Sequence, residues 1–263
     1  SDGPMVDGTI RCPWHHACFN LKTGANLRPP ALNDLPRWRV EEKDGRVIVR
    51  EKLEPFTPAR ATKGKAEPKS VVIVGCGAAG EAAAETLRRE GYEGPVTMID
   101  PDPTAPVDRP NLSKDYLAGN AQPEWIPLRD KSLFTERDIR ILRSDVKTID
   151  FKSRRIAHGA GKETWTEMPF DALVLATGAE PIRLKLEGSG PPVFYLRSLA
   201  DSDAIIAAAA GAKRVAVLGA SFIGLEVAAS LRTRGLEVHV AAPEPRPHER
   251  ILGPQLGDFI KSL

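Results

Sequence analysis

The chain has 263 residues, room for two domains or three small ones at the usual size of about 100 to 200 residues each. Apolar residues make up 41% and charged residues 27%, while 23 prolines exceed the ordinary share of about 5%, so linkers and tight turns are expected and collagen, coiled coil and bulk disorder are excluded. A formal charge of +2 with bases and acids interspersed leaves no footprint for nucleic acid or an anionic membrane, and no apolar run approaches the roughly 18 to 20 residues of a spanning helix, so small neutral or anionic ligands are the expected partners.

Residues 1–53 read as a small all-β module, with alternating stretches Arg37-Trp38-Arg39-Val40 and Arg46-Val47-Ile48-Val49 flanking a Lys43-Asp44-Gly45-Arg46 hairpin turn. Inside it, Cys12-Pro13-Trp14-His15-His16-Ala17-Cys18 sets a thiol and an imidazole three residues apart, a spacing compatible with a metal or with a purely structural role. The cysteines are Cys12, Cys18 and Cys76; with two of them close together, a disulfide framework is not expected and a reducing, cytoplasmic compartment is. Residues 54–69 hold three prolines, lack periodicity and are basic, the composition of an extended linker.

From Val71 the pattern becomes a buried strand, a glycine turn and an alanine-rich helix, and Val71–Gly80 recurs as Val215–Gly224. The fold class expected is α/β, with two Rossmann-like dinucleotide-binding domains, residues 70–190 and 191–263, after the β module. In the first copy Gly75, Gly77 and Gly80, with Ala79 at the start of the helix, bring backbone N–H groups and a helix dipole against a pyrophosphate. Asp100 ends the next strand, where a carboxylate grips the adenosine ribose. Phe170–Gly178 predicts a buried strand ending in a turn at Thr177 and Gly178, and Asp201–Ala210 a helix capped near Ser198 or Asp201. In the second copy Gly219, Ser221 and Gly224 form the turn, with Ser221 in place of the middle glycine. The position matching Asp100 is Ala242; Glu244 lies two residues on and Arg246 could meet a 2′-phosphate, so NADH and NADPH both stay open. After Val240 too few residues remain for a complete βαβαβ half. A chain cut at both ends is therefore expected, with Leu252, Leu256 and Phe259 poorly covered.

Pro106-Val107-Asp108-Arg109-Pro110-Asn111-Leu112-Ser113-Lys114-Asp115-Tyr116-Leu117-Ala118-Gly119 resembles the signature of the ferredoxin-reductase and apoptosis-inducing-factor branch of FAD-dependent pyridine nucleotide oxidoreductases, as do Ala176–Ala179 and Gly219–Glu226. The resemblance implies that Arg109 and Pro110 line FAD and that Lys114 sits by the reactive face of the flavin, paired with Glu226. Electrons then pass from NAD(P)H through FAD to a ferredoxin-like acceptor. Val107 departs from the tyrosine common in the family. No Cys-x4-Cys pair accompanies the first dinucleotide helix, so a redox disulfide is not expected and Cys76 reads as an inert buried residue. Cys12, Pro13, His15 and the turn Lys22-Thr23-Gly24 resemble the second half of a Rieske motif. That implies two of the four ligands of a [2Fe-2S] cluster, Cys12 and His15, with the upstream Cys-x-His missing from this chain. An apoptosis-inducing-factor-like signalling role, or an inert fragment, is the alternative to a working reductase.

Overall fold

The computed structural model describes residues 3–31, 33–54, 67–104, 106–159, 161, 164–185 and 190–262. The chain divides into two compact units, Ser1–Ala66 and Glu67–Leu263; the expected linker lies largely in residues 55–66, outside the described residues.

In the first unit β1 (Met5–Val6), β2 (Thr9–Arg11), β3 (Cys18–Asn20) and β4 (Asn26–Arg28) form an antiparallel sheet in sequence order. The strands β5 (Arg37–Lys43) and β6 (Arg46–Leu53) form a separate hairpin. Asp7-Gly8 and Asp44-Gly45 turn the two hairpins β1–β2 and β5–β6 with positive φ at both positions, 49° and 71°, then 53° and 70°. Such turns match the right-handed twist of the strands.

The second unit opens with β7 (Val71–Val74), α1 (Ala78–Arg89) and β8 (Val96–Ile99). A 3-10 turn at Arg109–Ser113, α2 (Asp115–Ala118) and α3 (Lys131–Glu136) follow, then β9 (Ile139–Leu142). A meander of β10 (Asp145–Asp150), β11 (Arg155–Gly159) and β12 (Thr166–Pro169) precedes β13 (Ala172–Leu175). The four strands β13-β7-β8-β9 make a parallel sheet. The run Val71-Val72-Ile73-Val74 is apolar at every position because both of its faces are covered. Val71 and Ile73 join the core with Ala84 of α1, and Val72 and Val74 join the one with Ile156 and Phe170 beneath the meander.

The remainder carries α4 (Leu199–Ala209), β14 (Arg214–Leu218), α5 (Phe222–Thr233), β15 (Glu237–Ala241) and α6 (Glu249–Ser262), which kinks at Gly253. Helix α4 starts two residues before the predicted Asp201, because Ser198 and Asp201 form a reciprocal capping box that puts Asp201 at the third helical position. Only β14 and β15 pair here among the described residues. Leu252, Leu256 and Phe259 are 38%, 51% and 58% exposed.

Candidate functional site

The first glycine turn is shaped by close approach. Gly75 has φ +105°, and a side chain there would overlap the Ala176 carbonyl and come within 3.2 Å of the Thr177 nitrogen. A side chain on Gly80 would overlap the Gly75 carbonyl. Gly77 caps α1 with no side-chain bond, and the first helical bond runs from Glu81 N–H to the Gly77 carbonyl. The N–H groups of Ala78, Ala79 and Gly80 are thus the open donors of the helix end. Asp100 accepts from Cys76 N–H at 2.6 Å and from Asp102 N–H at 2.9 Å, and each oxygen keeps a lone pair for a diol.

Two guanidiniums lie nearby, Arg109 beside Gly77 and both Arg109 and Arg197 beside Gly178 in the turn after β13. A Cβ on Gly77 would lie 3.6 Å from Arg109 Nη2, and one on Gly178, at φ +72°, would lie 3.0 Å from Arg197 Nη2 and 3.5 Å from Arg109 Nη1. Among the described residues neither guanidinium has a carboxylate partner. Unpaired cations beside open helix N–H groups suit an anion, so the donor set fits the pyrophosphate of a dinucleotide. Sequence reasoning missed Arg197, which belongs to no motif and reaches Gly178 only through the fold.

Lys114 Nζ lies 3.0 Å from Glu226 Oε1, and Ser113 donates its hydroxyl to Glu226 Oε2 at 2.6 Å. The Pro110 carbonyl, in the 3-10 turn, accepts from Lys114 Nζ at 3.3 Å. The pair joins the loop after the first turn to α5, the helix of the second.

That second turn repeats the first. Gly219 has φ +114°, a side chain on Gly224 would overlap the Gly219 carbonyl, and Ser221 caps α5 with no side-chain bond. A cavity of about 510 Å3 lies against it, lined by Gly219, Ser221, Glu244, Arg246 and His248. Glu244 Oε1 is 3.6 Å from Arg250 Nη1. Arg246 is tied to Asp258 at 2.6 Å and to Glu249 at 3.4 Å. A second cavity, of about 700 Å3, opens beside β9 between Thr104, Arg129, Phe134 and Arg143, away from both glycine turns.

Cys76 is fully buried, and burial followed by the Asp100 charge pushes its thiol up to about 12, so it stays protonated and unreactive. In the first unit Cys12 and His15 share the tight loop between β2 and β3, where Cys12 N–H donates to the Ala17 carbonyl at 2.8 Å. Among the described residues no three His, Cys, Asp or Glu side chains converge as a metal site. Two donors do not fit a whole [2Fe-2S] cluster, which takes four.

Residues 69–263 match the family described as pyridine nucleotide-disulphide oxidoreductase. Apoptosis-inducing factor 3 from Homo sapiens is 34% identical over 273 aligned residues, covering 99% of this chain and 44% of that protein. Rhodocoxin reductase from Rhodococcus erythropolis is 35% identical over 195 residues, 73% of this chain and 45% of that one. The crystal structure of a ferredoxin reductase from Rhodopseudomonas palustris superimposes with a TM-score of 0.68 at 34% identity, covering 74% of this chain and 47% of that chain. The chain thus spans about half the length of the curated relatives it matches. The paired glycine turns and the match over residues 69–263 lead to one conclusion: the chain belongs to the pyridine nucleotide-disulphide oxidoreductase family.

Proposed function

We propose that this chain is the flavin- and nicotinamide-binding part of an NAD(P)H-dependent FAD oxidoreductase that delivers electrons to a ferredoxin-type acceptor. The observation that carries the proposal is the Lys114–Glu226 pair at 3.0 Å, which links the two glycine-turn units. The open N–H groups of α1, Arg109 and Arg197 would hold the FAD pyrophosphate, and Asp100 its ribose. Thr177 and Gly178 border the same cradle. FAD, when bound, supplies hydride acceptance and one-electron release. Lys114 offers a positive charge, and Glu226 at 3.0 Å balances it. Around the second turn, Glu244 is the carboxylate for a ribose, held only loosely by Arg250 at 3.6 Å, while Arg246 is tied to Asp258 at 2.6 Å and to Glu249 at 3.4 Å. This favours NADH over NADPH. Relatives that are a rhodocoxin reductase and a ferredoxin reductase support a small redox protein as acceptor.

Residues 1–53 are proposed as the C-terminal part of a Rieske-like module with Cys12 and His15 as two ligands, and no electron step is derived through them. Three unpaired cysteines accord with a reducing compartment such as the cytoplasm. A second reading, an apoptosis-inducing-factor-like redox signalling protein, is favoured by the 34% identity to such a factor across 99% of the chain, the first module included. Anaerobic addition of NADH or NADPH to the full-length, FAD-loaded protein, followed at the flavin absorbance and then with cytochrome c as acceptor, separates the two. Fast bleaching with rapid turnover supports the reductase, and a long-lived complex with slow turnover supports signalling. Failure to retain FAD overturns both.

A further inference from the structure

Helix α5 meets the Ser113–Leu117 segment through a row of polar side chains spaced one turn apart. Glu226 takes the Ser113 hydroxyl and the Lys114 ammonium. Four residues on, the Ser230 hydroxyl shares its one proton between the Ser113 carbonyl at 2.8 Å and the Lys114 carbonyl at 3.1 Å. Four further on, Arg234 Nε donates to the Leu117 carbonyl. Residues at i, i+4 and i+8 lie along one face of a helix, so this is one continuous contact line. Beside it Leu231 packs with Leu117, which fixes the sideways position of the segment.

Ser230 is the unexpected member of the row. It stands next to Ala228 and Ala229, and serine is a poorer helix former than alanine. A mid-helix hydroxyl ordinarily bonds back to the carbonyl four residues earlier, as Thr233 does to Ala229 at 3.1 Å. The Ser230 hydroxyl instead turns away from its own helix, and the residue is 5% exposed. Its two acceptors are the carbonyls on either side of the Lys114 backbone nitrogen and α-carbon, so the bond acts on the residue whose ammonium must reach Glu226. Side chains of α4 hold the segment elsewhere: Ser202 donates to the Leu112 carbonyl at 3.0 Å, and Tyr116 to Asp203 at 2.6 Å. Of these three bonds to the segment, the one from Ser230 reaches the Lys114 backbone.

We propose that Ser230 is a positioning residue: its buried hydroxyl, one turn beyond Glu226 on α5, fixes the Lys114 backbone so that the Lys114 ammonium meets Glu226. The inference rests on the reductase reading for its kinetic consequence, but the clamp itself belongs to the chain without cofactor. Two measurements test it. In the protein without added FAD, Ser230→Ala is expected to speed amide exchange in residues 111–118, where Lys114, Tyr116 and Ala118 N–H groups are bonded, and Ser230→Thr to restore protection. In the full-length, FAD-loaded protein under saturating NADH, Ser230→Ala is expected to slow flavin reduction about tenfold, the rate equivalent of one lost hydrogen bond. The KM for NADH should move less than about twofold, because no nicotinamide contact is removed. In a Lys114→Ala background the same substitution should cost nothing further in rate. Unchanged exchange in residues 111–118 overturns the clamp. Wild-type reduction rates in Ser230→Ala, or an equal slowing in the Lys114→Ala background, overturn the positioning role. If the wild-type protein is not reduced by either nicotinamide, the reductase reading fails instead, and the exchange measurement still decides whether the clamp exists.

Discussion

Among the described residues of the second unit, Glu81 is a strongly perturbed carboxylate that is no part of the dinucleotide cradle. It is fully buried on α1, with Arg129 Nε 3.1 Å from its Oε1 and 2.9 Å from Oε1 of Glu85, one turn on. One guanidinium serves a fully buried acid and a partly buried one. Burial first, and the Glu85 charge second, push the Glu81 carboxyl up from 4.5 to about 7, against the opposing pull of Arg129. The folded state thus binds this proton more tightly than the unfolded one. The stability it contributes is fully present below about pH 4.5 and is lost as pH rises through about 7. At about 1.4 kcal/mol per unit the loss is bounded near 3 kcal/mol. Thermal unfolding followed from pH 5 to 8 should show this decline. Glu81→Gln should flatten it and raise the Tm at pH 8, because an amide can donate to Glu85 at every pH while adding no charge. Parallel pH profiles for the two proteins would assign the slope to some other group.

At the scale of elements, the placement of α1 on β7 depends on Gly80. Alanine favours a helix interior over glycine by about 1 kcal/mol. Here the added methyl would run into the Gly75 carbonyl and come within 3.3 Å of Ile73 Cγ2, neither of which can swing aside. Overpacking against fixed atoms costs roughly 1 to 3 kcal/mol, so the helix would lift off the turn that its N–H groups serve. Gly80→Ala should therefore lower the Tm and reduce FAD retention, read as flavin absorbance per protein; full retention would refute the close-packing account. These elements were legible because the forces that form them are local: an apolar run covered on both faces, glycines at forced close approach, and Ser198 with Asp201 at a helix start. The same reading overlooked β9, whose Ile139-Arg140-Ile141-Leu142 run is only four residues long, and the meander β10 to β12, whose polar alternation, as in Asp145-Val146-Lys147-Thr148-Ile149-Asp150, carries little burial signal. It also overlooked Arg197, Glu81 with Arg129, and Ser230. Each of these acts through a partner far away in sequence, as when Ser230 bonds Ser113, and no spacing rule connects such pairs.

Over the whole molecule, apolar burial is distributed very unevenly. Among the described residues the buried hydrophobic side chains of the Ser1–Ala66 unit are Ala17, Cys18 and Phe19, whereas the Glu67–Leu263 unit has the full cores around β7 and α5. In the β5–β6 hairpin Val40, Val47 and Val49 are 56%, 70% and 63% exposed. A two-stranded ribbon without a covered face is marginal in water. Local stability follows buried contacts, so the two units should open at different free energies. Hydrogen exchange on the full chain is expected to show β7 and β8 amides exchanging slowest and β5 and β6 amides orders of magnitude faster. FAD binds only the folded second unit in the proposed reading, so ligand at about one hundred times its Kd should add about 2.7 kcal/mol to the opening free energy of β7 and β8. Peptides from residues 5–53 should be unaffected, because their donors take no part in the cradle. Protection in β5 and β6 equal to that in β7, or an equal gain in both units on adding FAD, would mean that the first unit is stabilised by something beyond its own three buried side chains.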